Sequence, residues 1–297
     1  MKRWSTILLF GLVLVLASVA VVAAGEIEHK KYSFTASERS PFKIRLEIDA
    51  GKVEIKPGWD EKNIEIDFRY ELQRHEVSVD FDEKANELNA YFDIKKWFKD
   101  RHHDDEDTDY DENNHSSARM VVTLPTEVPV ELYCKIKAGE TDIELGGIHL
   151  KNLKLNVLAG ETSVRFSQPN QLLMKELLMD SKIGELSVEK LGNANFEYAE
   201  INGSIGELSI DLTGDIEQGV DRELDVGLNI GQTRLYLPRD EAICFSVNKF
   251  LFFSELDIPS QFTKEGKYYY SDDFNRAKHK TEMSLSPGLG TLDIRMR

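Results

Sequence analysis

A short pattern of alternating apolar and polar residues, interrupted by glycine, recurs along the second half of the chain. It is clearest in KIKAGETDIEL (135–145) and returns at once as NVLAGETSVRF (156–166). Looser copies follow: SKIGELSVEKL (181–191), GSIGELSIDL (203–212), LNIGQTRLYL (228–237) and PGLGTLDIRM (287–296). Alternation with a period of two is typical of a β-strand with one buried and one solvated face. Each copy therefore predicts a strand with a glycine inside it.

The glycines recur at intervals that indicate stacked repeats. Successive glycines lie 21, 24, 22 and 25 residues apart, and the last follows after 59. Such self-similarity is typical of architectures in which each unit buries its apolar face against a copy of itself. We expect the glycines where a Cβ does not fit or where φ is positive. The predicted structural glycines are Gly139, Gly160, Gly184, Gly206, Gly231 and Gly290.

These patterns predict an all-β protein in two parts. Residues 41–130 carry long alternating segments without the repeat and are predicted to form a smaller N-terminal β domain. There, Gly51 is expected to turn the chain between two strands of a hairpin-like unit. Residues 131–297 are predicted to form a β-solenoid-like stack of short strands. Within the stack, QLLMKELLM (171–179) predicts a short helical turn before a strand, and the last strand is expected to end the stack as an open sheet edge.

The first 24 residues predict export. Lys2 and Arg3 precede an apolar run that ends in Val22-Ala23-Ala24, a small-residue site suited to signal peptidase. The competing interpretation is an uncleaved N-terminal anchor, because about 18 apolar residues can just span a bilayer. In either case the remaining chain is predicted to be extracytoplasmic: periplasmic, cell-surface or secreted. A lipoprotein anchor is excluded because no cysteine follows the run.

The net charge disfavours one class of partner, and the two cysteines raise the question of a disulfide. With 37 basic and 53 acidic residues the net charge is −16, which argues against nucleic acid as a partner. Cys134 lies in phase with its apolar neighbours, whereas Cys244 lies out of phase with the more apolar set of its strand. An oxidising compartment would permit a disulfide between them, but two unpaired thiols are the expectation.

Two acidic features offer candidate cation sites. The segment at about 99–117 crowds Asp and Glu between histidines, but it lacks the Gly and Glu positions of an EF-hand loop, so we expect a solvated insertion. If the glycines stack in register, the residues after them form a column of Glu140, Glu161, Glu185, Glu207 and Gln232. That column is either a divalent-cation stripe or a set of carboxylates splayed into water, and the second is expected. No metal or cofactor is predicted.

Catalytic motifs are mostly missing from the sequence. It contains no Gly-x-Ser-x-Gly elbow, Walker loop, His-Glu-x-x-His helix or Cys-x-x-Cys pair. We therefore expect a protein that is not an enzyme.

Several turn motifs resemble one known family. GQTRLYLP (231–238), FTKEGKY (262–268), GLGTLDI (288–294) and LGNAN (191–195), together with the two AGET phrases, are similar to the toast-rack proteins. These are bacterial envelope proteins with stacked β repeats, related to the C-terminal domains of LiaF-type stress regulators and to candidate adhesins. The resemblance implies the fold over residues 41–297. It implies no catalytic residue.

Two classes of function remain open. The first is a non-catalytic interaction, scaffold or sensor module that binds an envelope protein or itself. The second is a polysaccharide-binding or polysaccharide-cleaving protein. An aromatic-rich insertion at 250–274 is expected to cap the stack, but a strand buries only alternate side chains, so some must face outward. The candidate partner surface is Leu251, Phe253 and Tyr269.

The leader sequence gives a direct prediction. N-terminal sequencing of the exported protein should begin at Gly25, because cleavage after Ala24 follows the small-residue rule. Recovery of a membrane-bound chain that still begins at Met1 would establish the anchor instead.

Overall fold

The computed structural model describes residues 26–38, 40–96, 118–215, 220–248 and 254–297. The N-terminal segment 1–24 and the whole acidic segment at about 99–117 lie outside these residues. No helix in the described ranges is long and apolar enough to cross a membrane.

Within the described residues, the strands form one 18-stranded sheet. They are β1 (Ile27–Thr35), β2 (Phe42–Ile48), β3 (Lys52–Pro57), β4 (Asn63–Glu71), β5 (His75–Asp82), β6 (Glu87–Ile94), β7 (Arg119–Leu124), β8 (Val130–Glu144), β9 (Leu150–Arg165), β10 (Met174–Glu189), β11 (Phe196–Asp211), β12 (Arg222–Leu237), β13 (Ile243–Val247), β14 (Ser254–Asp257), β15 (Thr263–Glu265), β16 (Tyr268–Tyr270), β17 (Thr281–Ser286) and β18 (Leu289–Met296). A 3-10 helix, Leu191–Ala194, lies between β10 and β11. The predicted all-β, stacked-repeat fold is confirmed.

Five long strands, β8 to β12, are the repeating units of the stack. Each has 15 or 16 residues and runs parallel to its neighbour, with the glycines aligned. We call each such unit a rung. One more rung precedes β8, because β2 and β3 pair with its first and second halves. Another follows β12, because β17 and β18 pair with its two halves and align Gly290 with Gly231.

Each rung bends at its glycine, and the bend folds the sheet over a shared core. In β10 the buried positions Met179 and Ser181 are odd-numbered before Gly184, whereas the buried Leu186 and Val188 after it are even-numbered. The change of phase turns the second half of the strand back toward the first. In β11, a Cβ on Gly203 would lie 3.3 Å from the Leu208 side chain, so the two halves face each other across the interior. Apolar side chains from both halves of each rung are therefore buried between them.

The first rung includes a segment for which the sequence predicted a hairpin. Gly51 does turn the chain between β2 and β3, but these strands pair with β8 and not with each other. The reason is close backbone approach: a Cβ on Gly139 would lie 2.0 Å from the Gly51 carbonyl oxygen. Gly51 therefore belongs to the same column as the six predicted glycines.

The remaining N-terminal strands extend the two halves of this first rung. β6 and then β5 continue the side of β2, while β7, β4 and β1 continue the side of β3. Phe34 and Phe81, with ring centroids 5.0 Å apart, bring the two outer strands together. One hydrophobic cluster runs from Ala36 to Ile294. The strands on both sides of residue 130 thus share one sheet and one hydrophobic cluster.

The other end of the stack does not follow chain order. β13 pairs with β17 and β14 pairs with β18, so these inserted strands lie outside the last rung of the chain. Leu256 pairs with Leu292 and packs against the core. The prediction that the final strand is an open edge is wrong, because β18 has β12 on one side and β14 on the other.

The helical turn predicted at the start of the window 171–179 is wrong, whereas the strand predicted after it is present. β10 begins at Met174, and its side chains continue the columns of β9 and β11. Helix propensity is a weak local preference, and pairing with a neighbour on each side overrides it. Asn170 fixes the preceding turn, because its side chain bonds the backbone of Leu150 and the carbonyl oxygen of Ala194.

The bend glycines predict a specific loss of stability. A Cβ on Gly206 would lie 1.8 Å from the carbonyl oxygen of Gly184, and φ is +137°. Gly206→Ala should therefore lower the free energy of unfolding by at least about 1–3 kcal/mol, the usual cost of such strain. Thermal or urea denaturation measures this. Gly266→Ala is the matched control, because Gly266 also has a positive φ, +61°, but no atom of the described residues lies within 4 Å of the added Cβ. Equal losses in the two variants would show that rung contact is not the cause.

Candidate interaction surface

An apolar column runs along the outside of the bend. The residue before each glycine pairs in register from rung to rung, and the column is Ala138, Ala159, Ile183, Ile205, Ile230 and Leu289. Its last four members are 57%, 50%, 46% and 38% exposed. We call these four residues, Ile183, Ile205, Ile230 and Leu289, the aliphatic ladder. Large apolar side chains gathered on one exposed strip, and not scattered singly, indicate a surface for association.

The alternation pattern alone does not reveal this ladder. It assigns each of these residues to a strand without fixing which face it occupies, because the phase of burial changes at the glycine. Ile183 is exposed, whereas Leu186, three residues later, is buried. A usable signal does exist in the sequence: an aliphatic residue immediately before the bend glycine in four successive rungs.

The predicted column of acidic residues lies directly beside the ladder. Glu140, Glu161, Glu185 and Glu207, which we call the glutamate ladder, are register partners across four rungs, and Gln232 continues the column. Like charges on adjacent strands repel unless cations intervene. Such cations are present at the two ends of the ladder: Lys52 Nζ lies 2.6 Å from Glu140, and Arg234 Nη1 lies 2.9 Å from Glu207.

The middle of the glutamate ladder is different. Among the described residues, no basic side chain forms an ion pair with Glu161 or Glu185. By contrast, the hydrogen bond from Lys52 to Glu140 raises the pKa of Lys52, because the carboxylate stabilises the charged ammonium group. In the described part of the chain, no group of three or more His, Cys, Asp or Glu residues is arranged to hold a metal ion. The two central carboxylates thus face solvent on the rungs of Ala159 and Ile183.

Of the predicted partner surface, Leu251, Phe253 and Tyr269, only Tyr269 is among the described residues. Tyr269, expected to face outward, is half-buried and stacks on Phe245 with ring centroids 5.0 Å apart. The two residues are register partners on β16 and β13, so Tyr269 points to the same side as the fully buried Phe245. Its neighbour Tyr268 is the exposed member, at 38%.

Both cysteines are free thiols, as expected. Cys134 is fully buried, and burial raises the pKa of its thiol. Cys244 is also buried, in a small separate cluster with Ala242 and Phe274. Neither thiol is therefore placed for surface chemistry.

A cavity of about 680 Å³ lies near the end of the stack, between the turns that follow β11 and β12 and the segment before β17. Beside it, Arg222 Nη2 lies 3.3 Å from Glu241 Oε1, and the two side chains are only 5% and 16% exposed. Among the described residues, Arg222 Nη1 and Glu241 Oε2 have no hydrogen-bond partner, and both atoms are closed off from solvent. Burial lowers the pKa of Arg222 and raises the pKa of Glu241. The geometry is that of a buried ion pair that supports the cavity wall.

A family model described as the N-terminal domain of toast-rack, DUF2154, matches residues 23–189. No curated protein matches the chain.

Two solved structures are similar in outline. A candidate cell adhesion protein from Clostridium sporogenes has 15% identity and a TM-score of 0.45, with 91% of this chain and 100% of that chain covered. A candidate adhesin from Bacteroides fragilis has 13% identity and a TM-score of 0.40, with 90% and 96% covered. At these TM-scores we draw no functional conclusion from the likeness.

The buried ion pair predicts a pH-dependent loss of stability. Arg222→Met leaves Glu241 buried without a cation, and breaking a buried pair in this way costs about 3–5 kcal/mol. Because burial raises the pKa of Glu241 in the folded state above its unfolded value, protonation relieves the cost as pH falls through that raised pKa. The loss should therefore be larger at pH 8 than at pH 5, measured by urea denaturation at both.

The control for this prediction is the double variant Arg222→Met with Glu241→Gln, which carries no titrating carboxyl at the site. Its loss relative to the parent should change little between the two pH values. A single variant with equal losses at pH 5 and pH 8 would contradict the assignment of the effect to Glu241.

Proposed function

Because the chain belongs to the toast-rack family, whose N-terminal domain model it matches over residues 23–189, we propose that it is a non-catalytic interaction protein of the bacterial cell envelope. The charged and apolar start of the sequence supports export, with residues 1–24 as a signal peptide or anchor. The net charge of −16 supports a partner other than nucleic acid.

The observation that carries this proposal is the aliphatic ladder. Four large aliphatic side chains, on four successive rungs, lie between about two-fifths and three-fifths exposed and form one continuous column. Burying such side chains against a partner is favourable by about 25 cal/mol for each Å² of apolar surface removed from water. The ladder therefore supplies a driving force for association that the acidic remainder of the surface does not.

The ladder favours a protein partner over a polysaccharide. Sugar rings are polar at their edges and are commonly recognised by flat aromatic faces together with hydrogen-bonding groups. The ladder offers aliphatic side chains only, and no Phe, Tyr or Trp is among the described residues that line the 680 Å³ cavity. Aliphatic side chains of another protein are the better match.

Site-specific photo-crosslinking in the producing cell tests the proposal. A photoreactive residue at Asn229, which is exposed and immediately precedes Ile230, should give an adduct with an envelope protein, to be identified by mass spectrometry. The matched control is the same residue at Glu223, which is exposed on the same strand but on the outer face of its first half.

A second variant separates the ladder from its surroundings. Replacing Ile183, Ile205 and Ile230 by Thr keeps β-branched side chains, which suit a strand, but removes much of the apolar surface. The Asn229 adduct should then disappear while the melting temperature stays within a few degrees of the parent. If the adduct at Asn229 is no stronger than at Glu223, or persists in the Thr variant, the ladder is not the contact surface.

A further inference from the structure

We propose that the segment bound by the aliphatic ladder is an amphipathic α-helix whose apolar stripe is flanked by Lys or Arg, lying along the axis of the stack. This inference rests on the proposed function and adds the chemistry and shape of the partner. It follows from three properties of the bend: its backbone is already paired, its side chains have a particular spacing, and one flank carries uncompensated negative charge.

The first property excludes an added β-strand at this surface. A strand docks by pairing with unpaired N–H and C=O groups at a sheet edge. At the bend, every ladder residue lies inside a strand that is paired on at least one side with the next rung in register. Among the described residues, strands with a pairing partner on only one side are β1, β5, β14 and β15, which lie at the ends of the stack. Contact along the ladder must therefore be made by side chains.

The second property is the spacing of the ladder. Neighbouring rungs are about 4.8 Å apart, so four rungs span about 14 Å. An α-helix along the stack axis presents an apolar residue about every 5.4 Å, which gives about 16 Å over three turns. An extended strand in the same direction presents same-face residues about every 6.6–6.8 Å, or about 20 Å over the same number of side chains. The spacing of side chains on a helix therefore matches the spacing of the ladder over its full length, and the spacing on a strand does not.

The third property is charge. Glu161 and Glu185 lie in the column beside the ladder and, within the described residues, have no basic partner. In each of these rungs a single glycine separates the glutamate from the residue that faces the partner, which is Ala159 or Ile183. A helix that lies along the ladder and reaches one rung past Ile183, to Ala159, therefore sets its flanking positions over both glutamates. Lys or Arg at those positions can lay its apolar stem along the ladder while its charge meets a carboxylate.

The same charge makes a second copy of the chain a poorer occupant. Two copies would each bring a net charge of −16, and their association would work against that repulsion. Self-association through the ladder is therefore an outcome that the test must distinguish from binding of a basic helix.

The test uses two synthetic helical peptides of about 18 residues with the same leucine stripe. One carries Lys on both flanks of the stripe, and the other carries Glu at the same positions. Fluorescence anisotropy with the purified full chain should show binding of the Lys peptide and at least tenfold weaker binding of the Glu peptide. Two exposed Lys–Glu contacts raise the affinity about threefold to tenfold at low salt. The Glu peptide replaces this attraction by a repulsion of similar size, so the two peptides should differ by about tenfold or more, and by less at high salt.

Matched variants assign the binding to the ladder. Glu161→Gln with Glu185→Gln should weaken the Lys peptide about threefold to tenfold at low salt, and the difference should shrink at 1 M salt. The control pair Glu176→Gln with Glu223→Gln, on the outer face of the first strand halves, should leave affinity unchanged. Ile183→Thr with Ile205→Thr should weaken the peptide tenfold or more at both salt concentrations, whereas Leu173→Thr, at an exposed leucine outside the ladder, should not.

Each contrary result has a distinct meaning. Equal binding of the two peptides, or no effect of the glutamate pair at low salt, overturns the basic helix. Concentration-dependent dimerisation in sedimentation that is lost in the Ile→Thr variant overturns it in favour of a second copy. If no peptide binds but the Asn229 adduct with an envelope protein persists, the helix inference fails and the proposed function stands. If neither is found, both fail.

Discussion

The close approach of glycine backbones at the bend is the constraint on which the stack depends. From the second rung to the last aligned one, a Cβ on the bend glycine would lie only 1.7–2.0 Å from the carbonyl oxygen of the glycine in the preceding rung. Each bend thus nests inside the one before it. A rung that slipped by one residue would place a side chain at that oxygen and would also move its apolar set to the wrong face. The glycines therefore fix the register of both halves of every rung together.

Fixed register turns sequence positions into columns, and the columns decide the chemistry of the surface. The position before the glycine becomes the aliphatic ladder, and the position after it becomes the glutamate ladder. A protein can tolerate a column of like charges where cations intervene, as Lys52 and Arg234 do at the two ends. The uncompensated pair in the middle, beside exposed aliphatic side chains, is a cost that a basic apolar partner would offset.

Much of this architecture could be predicted from sequence, because a repeat carries its own register. The strands, the aligned glycines and the acidic column all follow from one phrase that recurs, and the family match confirms the resemblance drawn from the turn motifs. The wrong predictions concern residues whose structure depends on pairing with strands elsewhere in the chain. Gly51 lies in a short copy of the phrase, AGKVEI (50–55), and its pairing with the distant β8 makes it part of the column. The helical composition at 171–179 is overridden by neighbours on both sides. The outward face of Ile205 depends on a change of phase at the bend, which the alternation pattern does not encode.

The ends of the stack explain why association should use the side of the molecule. The described strands with only one pairing partner are short or carry charge on the exposed side chains. β14 has four residues with Glu255 and Asp257 exposed, and β5 exposes Glu76 and Asp80. Short, charged edges discourage the pairing of further strands. The stack is thereby protected from uncontrolled growth along its axis, while the bend presents apolar side chains whose backbone is already paired. A partner can bind there through side chains alone, without extending the sheet.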